Sequence, residues 1–366
     1  MLQSESIKRV VVRGTNWAGD AIMTIPALRQ LRQTLPKAHL TLATRPTTAE
    51  LFADAEFIDD LLVGNEAGTL SAVRSWSGRG FDLAILLTNS FQSALVSFLA
   101  RVPNRLGYAT QHRKLMLTDP VPLPSWCVSR HEVYYYLNLI AELKSLLNRE
   151  AQPARELNPH LTISLQRRTD ARALLTNNGV AVTDTLVALC PGSINSRAKR
   201  WPAERFAQVA DQLSEQSGVK ILLVGSAEEL PISLEVKNRM RHNPVLLTGQ
   251  TTLGAAAAVL SHVDLLITND TGPAHIASAL GRPTLVIFGP TNPLTTSPFA
   301  DAEIVRKPPD CAPCMLRDCP IDHRCMTAIT SAEVVERAIT VLGRSKAQSL
   351  AEKQAVGVSE VGAAHP

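Results

Sequence analysis

The chain has 366 residues, 45% of them hydrophobic and 19% charged, with a formal net charge of +4. That length suits two domains of roughly 100–200 residues each, and the apolar content excludes a disordered or low-complexity protein. The small positive excess suits an acidic ligand and is too weak to imply nucleic acid.

The first 13 residues carry Glu5, Lys8 and Arg9 and lack the apolar run and small-residue cleavage site of a secretory signal. The most apolar stretch, 83–100, is broken by Thr88, Asn89, Ser90, Gln92, Ser93 and Ser97, so no transmembrane segment is expected. The expectation is a soluble cytoplasmic protein. In chain order, 7–12 reads as a strand and 20–34 as a helix with Ile22, Ile25, Leu28 and Leu31 on one face. Residues 40–43, 58–63 and 83–87 read as strands, and a helix near 129–147 ends this half. Pro153 and Pro159 mark a linker. Strands return at 186–189, 220–224, 245–247, 265–268, 284–288 and 304–306, with helices near 202–217, 227–241, 252–262 and 272–280. The alternation predicts an α/β protein of two doubly wound domains, 1–165 and 166–345. Residues 346–366 have no apolar period and predict a disordered tail.

Ligands of such sheets bind beyond the carboxyl ends of the strands, so the loops there hold the candidates. The loop 13–20, Arg-Gly-Thr-Asn-Trp-Ala-Gly-Asp, follows the first strand. It is neither G-x-G-x-x-G nor a Walker A loop, because Asp20-Ala21 stands where Lys and Ser or Thr are needed. Asp20 is either a helix cap, worth about 0.3–1 kcal/mol against the dipole, or a general base. Capping alone leaves the two glycines and Trp17 unexplained.

The second candidate is 269–275, Asn-Asp-Thr-Gly-Pro-Ala-His. A strand runs into Asp270, Thr271 and Gly272, and Pro273 opens a helix. Free N–H groups of Thr271, Gly272 and Ala274 would hold a diphosphate, with His275 one turn in; the alternative is a capped helix with His275 packed on the sheet. Pro191-Gly192-Ser193 is followed by Arg197, Lys199 and Arg200, an anion loop or a solvated one. Glu228, after the strand at 220–224, suits ribose hydroxyls or is a common first-turn acid. Between Asp82 and Glu132, Arg101, Arg105, His112, Arg113, Lys114, Arg130 and His131 accompany one acid, Asp119. That is a basic face for an anionic acceptor, or a plain solvated face. Cys311, Cys314, Cys319 and Cys325 could hold a structural zinc with no part in chemistry; disulfides are not expected in a large cytosolic chain.

The segments RGTNWAGDAIMTIPAL, CPGSINSRAKRWPAERF, LLVGSAEE and NDTGPAHIASALGRPTLVIFGPTNP together resemble the ADP-heptose:lipopolysaccharide heptosyltransferases of glycosyltransferase family 9, most closely the heptosyltransferase II branch. The resemblance extends over roughly 8–340. It implies a GT-B fold, two Rossmann-like domains facing a central cleft, and an inverting mechanism. It implies ADP-heptose as donor in the second domain, and a lipopolysaccharide core acceptor at the inner membrane surface held by the first. Residue by residue, it makes Asp20 the base, Lys199 the diphosphate-neutralising cation and Glu228 the ribose ligand. Asp270, Thr271, Gly272 and His275, with Ser193, would grip the donor, and Thr251 and Thr252 would lie near adenine. The basic stretch would supply Arg105, Arg113, Lys114 and His131 to the acceptor. No D-x-D pair suited to Mg²⁺ is evident, so metal-independent catalysis with no cofactor is expected. The rival readings are a GT-B nucleotide-sugar 2-epimerase and a zinc-stabilised anion- or nucleic-acid-binding module; the second leaves Asp20 without a role.

Overall fold

β-Branched and leucine-rich runs pair into two six-stranded, all-parallel sheets in a computed structural model that describes residues 4–64, 68–149, 157–299 and 302–344. The first sheet contains β1 (Arg9–Arg13), β2 (His39–Thr44), β3 (Asp60–Val63), β4 (Leu83–Leu86), β5 (Asn104–Tyr108) and β6 (Asp119–Val121). Its order is β3-β2-β1-β4-β5-β6. The second contains β7 (Leu186–Cys190), β8 (Lys220–Leu223), β9 (Val245–Leu246), β10 (Leu265–Asn269), β11 (Thr284–Phe288) and β12 (Ala302–Arg306). Its order is β12-β11-β10-β7-β8-β9. Counted from its own first strand, each sheet follows 3-2-1-4-5-6, the doubly wound order of dinucleotide-binding folds. The order reverses between β1 and β4 in one sheet and between β7 and β10 in the other.

Central parallel strands are covered on both faces and therefore read as unbroken apolar runs. β4, β7, β10 and β11 are buried along their whole length. In the second sheet Trp201, Phe206, Val236 and Met326 fill the space between strands and helices. Two compact units result. One comprises Met1–Leu165, Thr252–Ala257 and Asn292–Ala300; the other comprises Gln166–Thr251, Ala258–Thr291 and Asp301–Pro366. The expected tail at 346–366 lies outside the described residues. Among the described residues no helix is long and apolar enough to cross a membrane.

Several elements differ from the sequence expectation. The helix expected at 20–34 is two helices, Ala18–Met23 and Ile25–Thr34. Pro26 has no N–H to continue the first, and Thr24 Oγ1 turns back on Ala21 O at 2.6 Å. β5 and β6 were not expected, because Asn-Arg-Leu-Gly-Tyr and Asp-Pro-Val lack apolar alternation; parallel pairing of β5 with β4 and β6, and of β6 with β5, makes them strands. The helix Leu165–Asn177 buries only Ala171 and Leu175, so its sequence carries almost no amphipathic period.

The carboxyl end of β10 is tied to its neighbours by one side chain. Asn269, fully buried, donates from Nδ2 to Pro191 O at 2.9 Å and Gly192 O at 3.1 Å. Its Oδ1 accepts from Trp201 N at 3.0 Å. Asn269→Ala leaves all three backbone groups buried and unpaired. We expect a loss of about 2–4 kcal/mol in urea unfolding with little change in m-value; a loss under about 1 kcal/mol would show that water or a shifted loop replaces the amide.

Candidate functional site

The loop after β1 lies at the first point of strand-order reversal. Arg13 braces it from within: Nη1 donates to Gly14 O at 2.6 Å and Nη2 to Asn16 Oδ1 at 3.0 Å. A Cβ on Gly14 would stand 3.1 Å from Leu42 Cδ1, so this glycine lets the loop pass close to β2. The helix that follows has Trp17 at its N-cap, and Trp17 is half exposed. Asp20 lies in the first turn but not at the cap, and is partly exposed. Behind it Tyr136, buried on the helix Glu132–Leu146, has its phenol held well above its usual range by burial and then by the charge of Asp20.

The loops after β7 and β10 meet at the second reversal. Lys199 Nζ lies 2.8 Å from Asp270 Oδ2 and donates to Asp270 O at 3.2 Å. Asp270 is almost fully buried, and its Oδ2 also accepts from Thr291 Oγ1 at 2.7 Å. Among the described residues no group donates to Asp270 Oδ1, and the third N–H of Lys199 has no acceptor. The pair thus presents one cationic donor and one carboxylate acceptor side by side, which suits a sugar diphosphate with its hydroxyls. Thr271 is the N-cap of the helix Gly272–Ala279. The N–H groups of Thr271 and Gly272 take no backbone partner among the described residues. The expected third donor is not available, because Ala274 N bonds Thr271 O at 3.1 Å. The Thr271 hydroxyl is also engaged, with Asn269 O at 3.3 Å. His275 is buried within the helix.

The structure separates the remaining donor candidates. Of the three cations near 197–200, only Lys199 joins Asp270. Arg200 donates to Ser193 O at 2.9 Å and Arg197 pairs with Asp318 on the surface at 2.6 Å. Ser193 is buried. Gly192 makes room for a carboxylate of this chain: its Cβ would stand 2.2 Å from Glu229 Oε1. Glu229, buried, closes a capping box by accepting from Ser226 N at 2.8 Å. Glu228 beside it is exposed, its carboxyl held below the usual range by a hydrogen bond from its own backbone N–H and by the Ser226 side chain. Thr251 is partly exposed. Thr252 is exposed, and its Oγ1 accepts from Ala255 N at 3.3 Å. In the first unit, Glu50 Oε2 accepts from Gly254 N at 2.7 Å, so a carboxylate stands at the start of the helix Leu253–Leu260.

Of the basic residues expected to face the acceptor, Arg101, His112, Lys114 and Arg130 are exposed, whereas Arg105, Arg113 and His131 are engaged within the chain. Arg113 is fully buried and donates to Tyr108 O at 2.7 Å, Ser93 Oγ at 3.0 Å and Asn89 Oδ1 at 3.3 Å. Among the described residues no carboxylate pairs with it, and burial lowers its guanidinium to about 10. It is a clip for the loop after β4 and has no N–H turned to an acceptor face. Arg105 donates to Met116 O at 2.6 Å and lies over the Phe98 ring. His131 takes Val133 N on Nδ1 at 3.2 Å, which leaves Nε2–H to donate to Ser297 O at 2.7 Å. Of Arg105, Arg113, Lys114 and His131, only Lys114 is exposed. A charge count along the sequence cannot reveal this, because arginine's five donors serve backbone carbonyls as readily as ligands.

All four cysteines of the 311–325 segment are free thiols. Among the described residues no three His, Cys, Asp or Glu side chains are close enough together to hold a metal ion. The Cys325 thiol is pushed up by burial and then by the neighbouring Cys314, Cys319 and Cys311. Asn269 opens the candidate segment 269–275 but was given no role of its own, and Thr291 was not among the residues expected to build the site, although it lies in a segment that carries the family resemblance.

Residues 70–324 match glycosyltransferase family 9 (heptosyltransferase). The chain is 27% identical over 316 residues to lipooligosaccharide heptosyltransferase 2 of Haemophilus influenzae, a similarity covering 81% of this chain and 88% of that relative. It is 27% identical over 314 residues to lipopolysaccharide heptosyltransferase 2 of Escherichia coli, again covering 81% and 88%. The solved structure of Escherichia coli ADP-heptose lps heptosyltransferase II is similar with a TM-score of 0.80 and 25% identity, covering 93% of this chain and all of that one.

Burial holds the His131 imidazole below its usual range. A proton on Nδ1 would face the Val133 N–H and break that bond. Because the folded state disfavours the cation, the His131 contribution is complete above about pH 6.5 and is lost as pH falls towards the depressed value. His131→Gln keeps a donor for Ser297 O and removes the titration. We expect the variant's melting temperature to fall less than the parent's between pH 7 and pH 5; parallel slopes would show that His131 does not titrate on unfolding.

Proposed function

This chain belongs to glycosyltransferase family 9, the heptosyltransferases, and on that footing we propose that it moves the heptose of ADP-L-glycero-D-manno-heptose to the inner core of lipopolysaccharide, with an acceptor of the heptosyl-Kdo2-lipid A type. The observation that carries this reading is the Lys199–Asp270 pair at the second strand-order reversal, 2.8 Å apart. One donor remains on the ammonium and one acceptor on the carboxylate, beside the open N–H groups of Thr271 and Gly272.

In this reading the acceptor hydroxyl gives its proton to Asp20 as its oxygen attacks the anomeric carbon. The bond from that carbon to the ADP oxygen breaks, and the configuration inverts in the single displacement. Negative charge gathers on the departing diphosphate, where Lys199 and the Thr271 and Gly272 N–H groups stabilise it. Asp270 Oδ1 takes a sugar hydroxyl, and Glu228 takes the ribose. Ser193, Thr251, Thr252 and His275 line the donor's course, and the exposed Lys114 serves the acceptor. Catalysis is metal-independent and needs no cofactor, because the cation and the helix start supply positive potential at the leaving group. The acceptor is a lipid, so the enzyme works in the cytoplasm, peripheral at the inner face of the inner membrane.

Asp20→Asn is expected to keep the fold and donor affinity and to lose 10²–10⁴-fold, roughly, in transfer. Radiolabel transfer from ADP-heptose to acceptor measures this; retention within a few-fold of the parent would remove Asp20 as the base. Incubation with donor alone should leave it unepimerised. EDTA is expected to leave the initial rate unchanged. Immediate loss of activity restored by Mg²⁺ or Mn²⁺ would overturn the metal-free mechanism.

A further inference from the structure

The cysteine-rich segment stands directly against the loop that carries Lys199. Ser196 Oγ lies 3.2 Å from Leu316 O and 3.1 Å from Arg317 O, and Ala198 N donates to Arg317 O at 2.9 Å. His323 Nε2 donates to Ala198 O at 2.5 Å. The Ser196 hydroxyl and both backbone groups of Ala198, just before Lys199, are therefore bonded to residues 316–323. The same segment also reaches the turn before Thr291, the residue that holds Asp270. Met315 N donates to Pro290 O at 2.9 Å, and a Cβ on Gly289 would stand 2.4 Å from Met326 Sδ and 3.2 Å from Cys325 Sγ. Both partners of the Lys199–Asp270 pair thus rest on one stretch of chain, and all of these residues belong to one compact unit.

Four free thiols punctuate that stretch. Cys311 is exposed, Cys314 and Cys319 are half-buried, and Cys325 is buried. Cys314 and Cys319 flank Met315, Leu316 and Arg317, whose backbone groups make the bonds to Pro290, Ser196 and Ala198. An adduct on either partly buried thiol adds bulk next to, or two residues from, the backbone of 315–317 that supports Lys199.

We propose that residues 311–325 form a thiol-addressable brace for the donor site, in which covalent modification of Cys314 and Cys319 by a soft electrophile withdraws the support of Lys199 and weakens donor binding. The modification needs no oxidant or metal. With a maleimide, the thiolate sulfur bonds to one alkene carbon, the alkene electron pair takes a proton at the other, and nothing leaves. Thiolate character governs such reactions, and Cys325, whose thiol is pushed up, reacts last. Cys314 and Cys319 are points of modification only: neither thiol holds Lys199 or is placed against the donor, and it is the adduct that disturbs the brace.

The test treats full-length protein carrying Cys127→Ser, which removes the partly exposed thiol of the other unit, with N-ethylmaleimide. Adducts are located by mass spectrometry. Once Cys314 and Cys319 are modified, we expect the KM for ADP-heptose to rise at least fivefold while the melting temperature shows the protein still folded. Saturating ADP should slow labelling of these two thiols at least threefold. The Cys314→Ser/Cys319→Ser variant should keep the parent's KM and resist the reagent. Complete adducts with KM within twofold of the parent, or equal inhibition of the double variant, would overturn the brace. The inference rests on Lys199 as a donor ligand. A parent without heptosyl transfer would sink that assignment, whereas ADP protection, read by mass alone, still reports whether nucleotide and brace are coupled.

Discussion

The amide of Asn269 is the point on which the second unit's ligand end depends. A primary amide has two donors and an acceptor on one rigid plane, and here all are used on backbone groups at the two ends of the connection from β7 to the helix Ala203–Ser217. The loop after β7 and the entry to the helix Ala203–Ser217 are thereby held to the end of β10. No apolar side chain could do this, because the three groups it satisfies are buried away from water, where each would cost about 1–3 kcal/mol unpaired. Aspartate, with no N–H, would face the two carbonyls with negative charge. Lys199 and Asp270 come into register because the residue before Asp270 in sequence has already joined their two loops.

That register brings a compromise in charge. An ammonium 2.8 Å from a buried carboxylate adds little net stability, because desolvation offsets the Coulomb attraction. What the pair supplies is orientation. Lys199 is held by Asp270 Oδ2 and Asp270 O, and Asp270 is held in turn by Thr291. The free edge of the pair is then fixed before a ligand arrives, so less of the binding energy goes to ordering side chains.

The sheets were legible in the sequence wherever strands are covered on both faces, since burial demands unbroken apolar runs such as LVALC, LLITN and TLVIF. β5 and β6 carry no such run: Asn-Arg-Leu-Gly-Tyr and Asp-Pro-Val are held as strands by ladder pairing, which a local pattern does not announce. In the site, residues dictated by backbone chemistry could be read: a strand running into Asp-Thr-Gly-Pro announces a helix start open to an anion. Side-chain direction could not. Arg113 and Lys114 are neighbours with equal charge, yet one is fully buried among carbonyls and the other exposed. Gly192 reads as a phosphate loop glycine, yet the space it leaves is filled by Glu229. Both outcomes depend on residues distant in sequence, to which local pattern is blind.

The division of the chain into units has a consequence for its synthesis. The first unit is not complete at Leu165, because it also includes Thr252–Ala257 and Asn292–Ala300. A nascent chain leaving the ribosome can pair β1 to β6 early, but Ser297, which receives the His131 imidazole, and Phe299, which packs tilted against His131 and edge-on to Tyr134 at 4.7 and 5.7 Å, emerge some 160 residues later. At about 5–20 residues per second that delay is of the order of ten seconds. Through it the start of the helix Glu132–Leu146 stands without its late partners. Excising the first 165 residues would make that temporary vacancy permanent, so a fragment cut at the obvious linker keeps an aromatic surface that the whole chain covers.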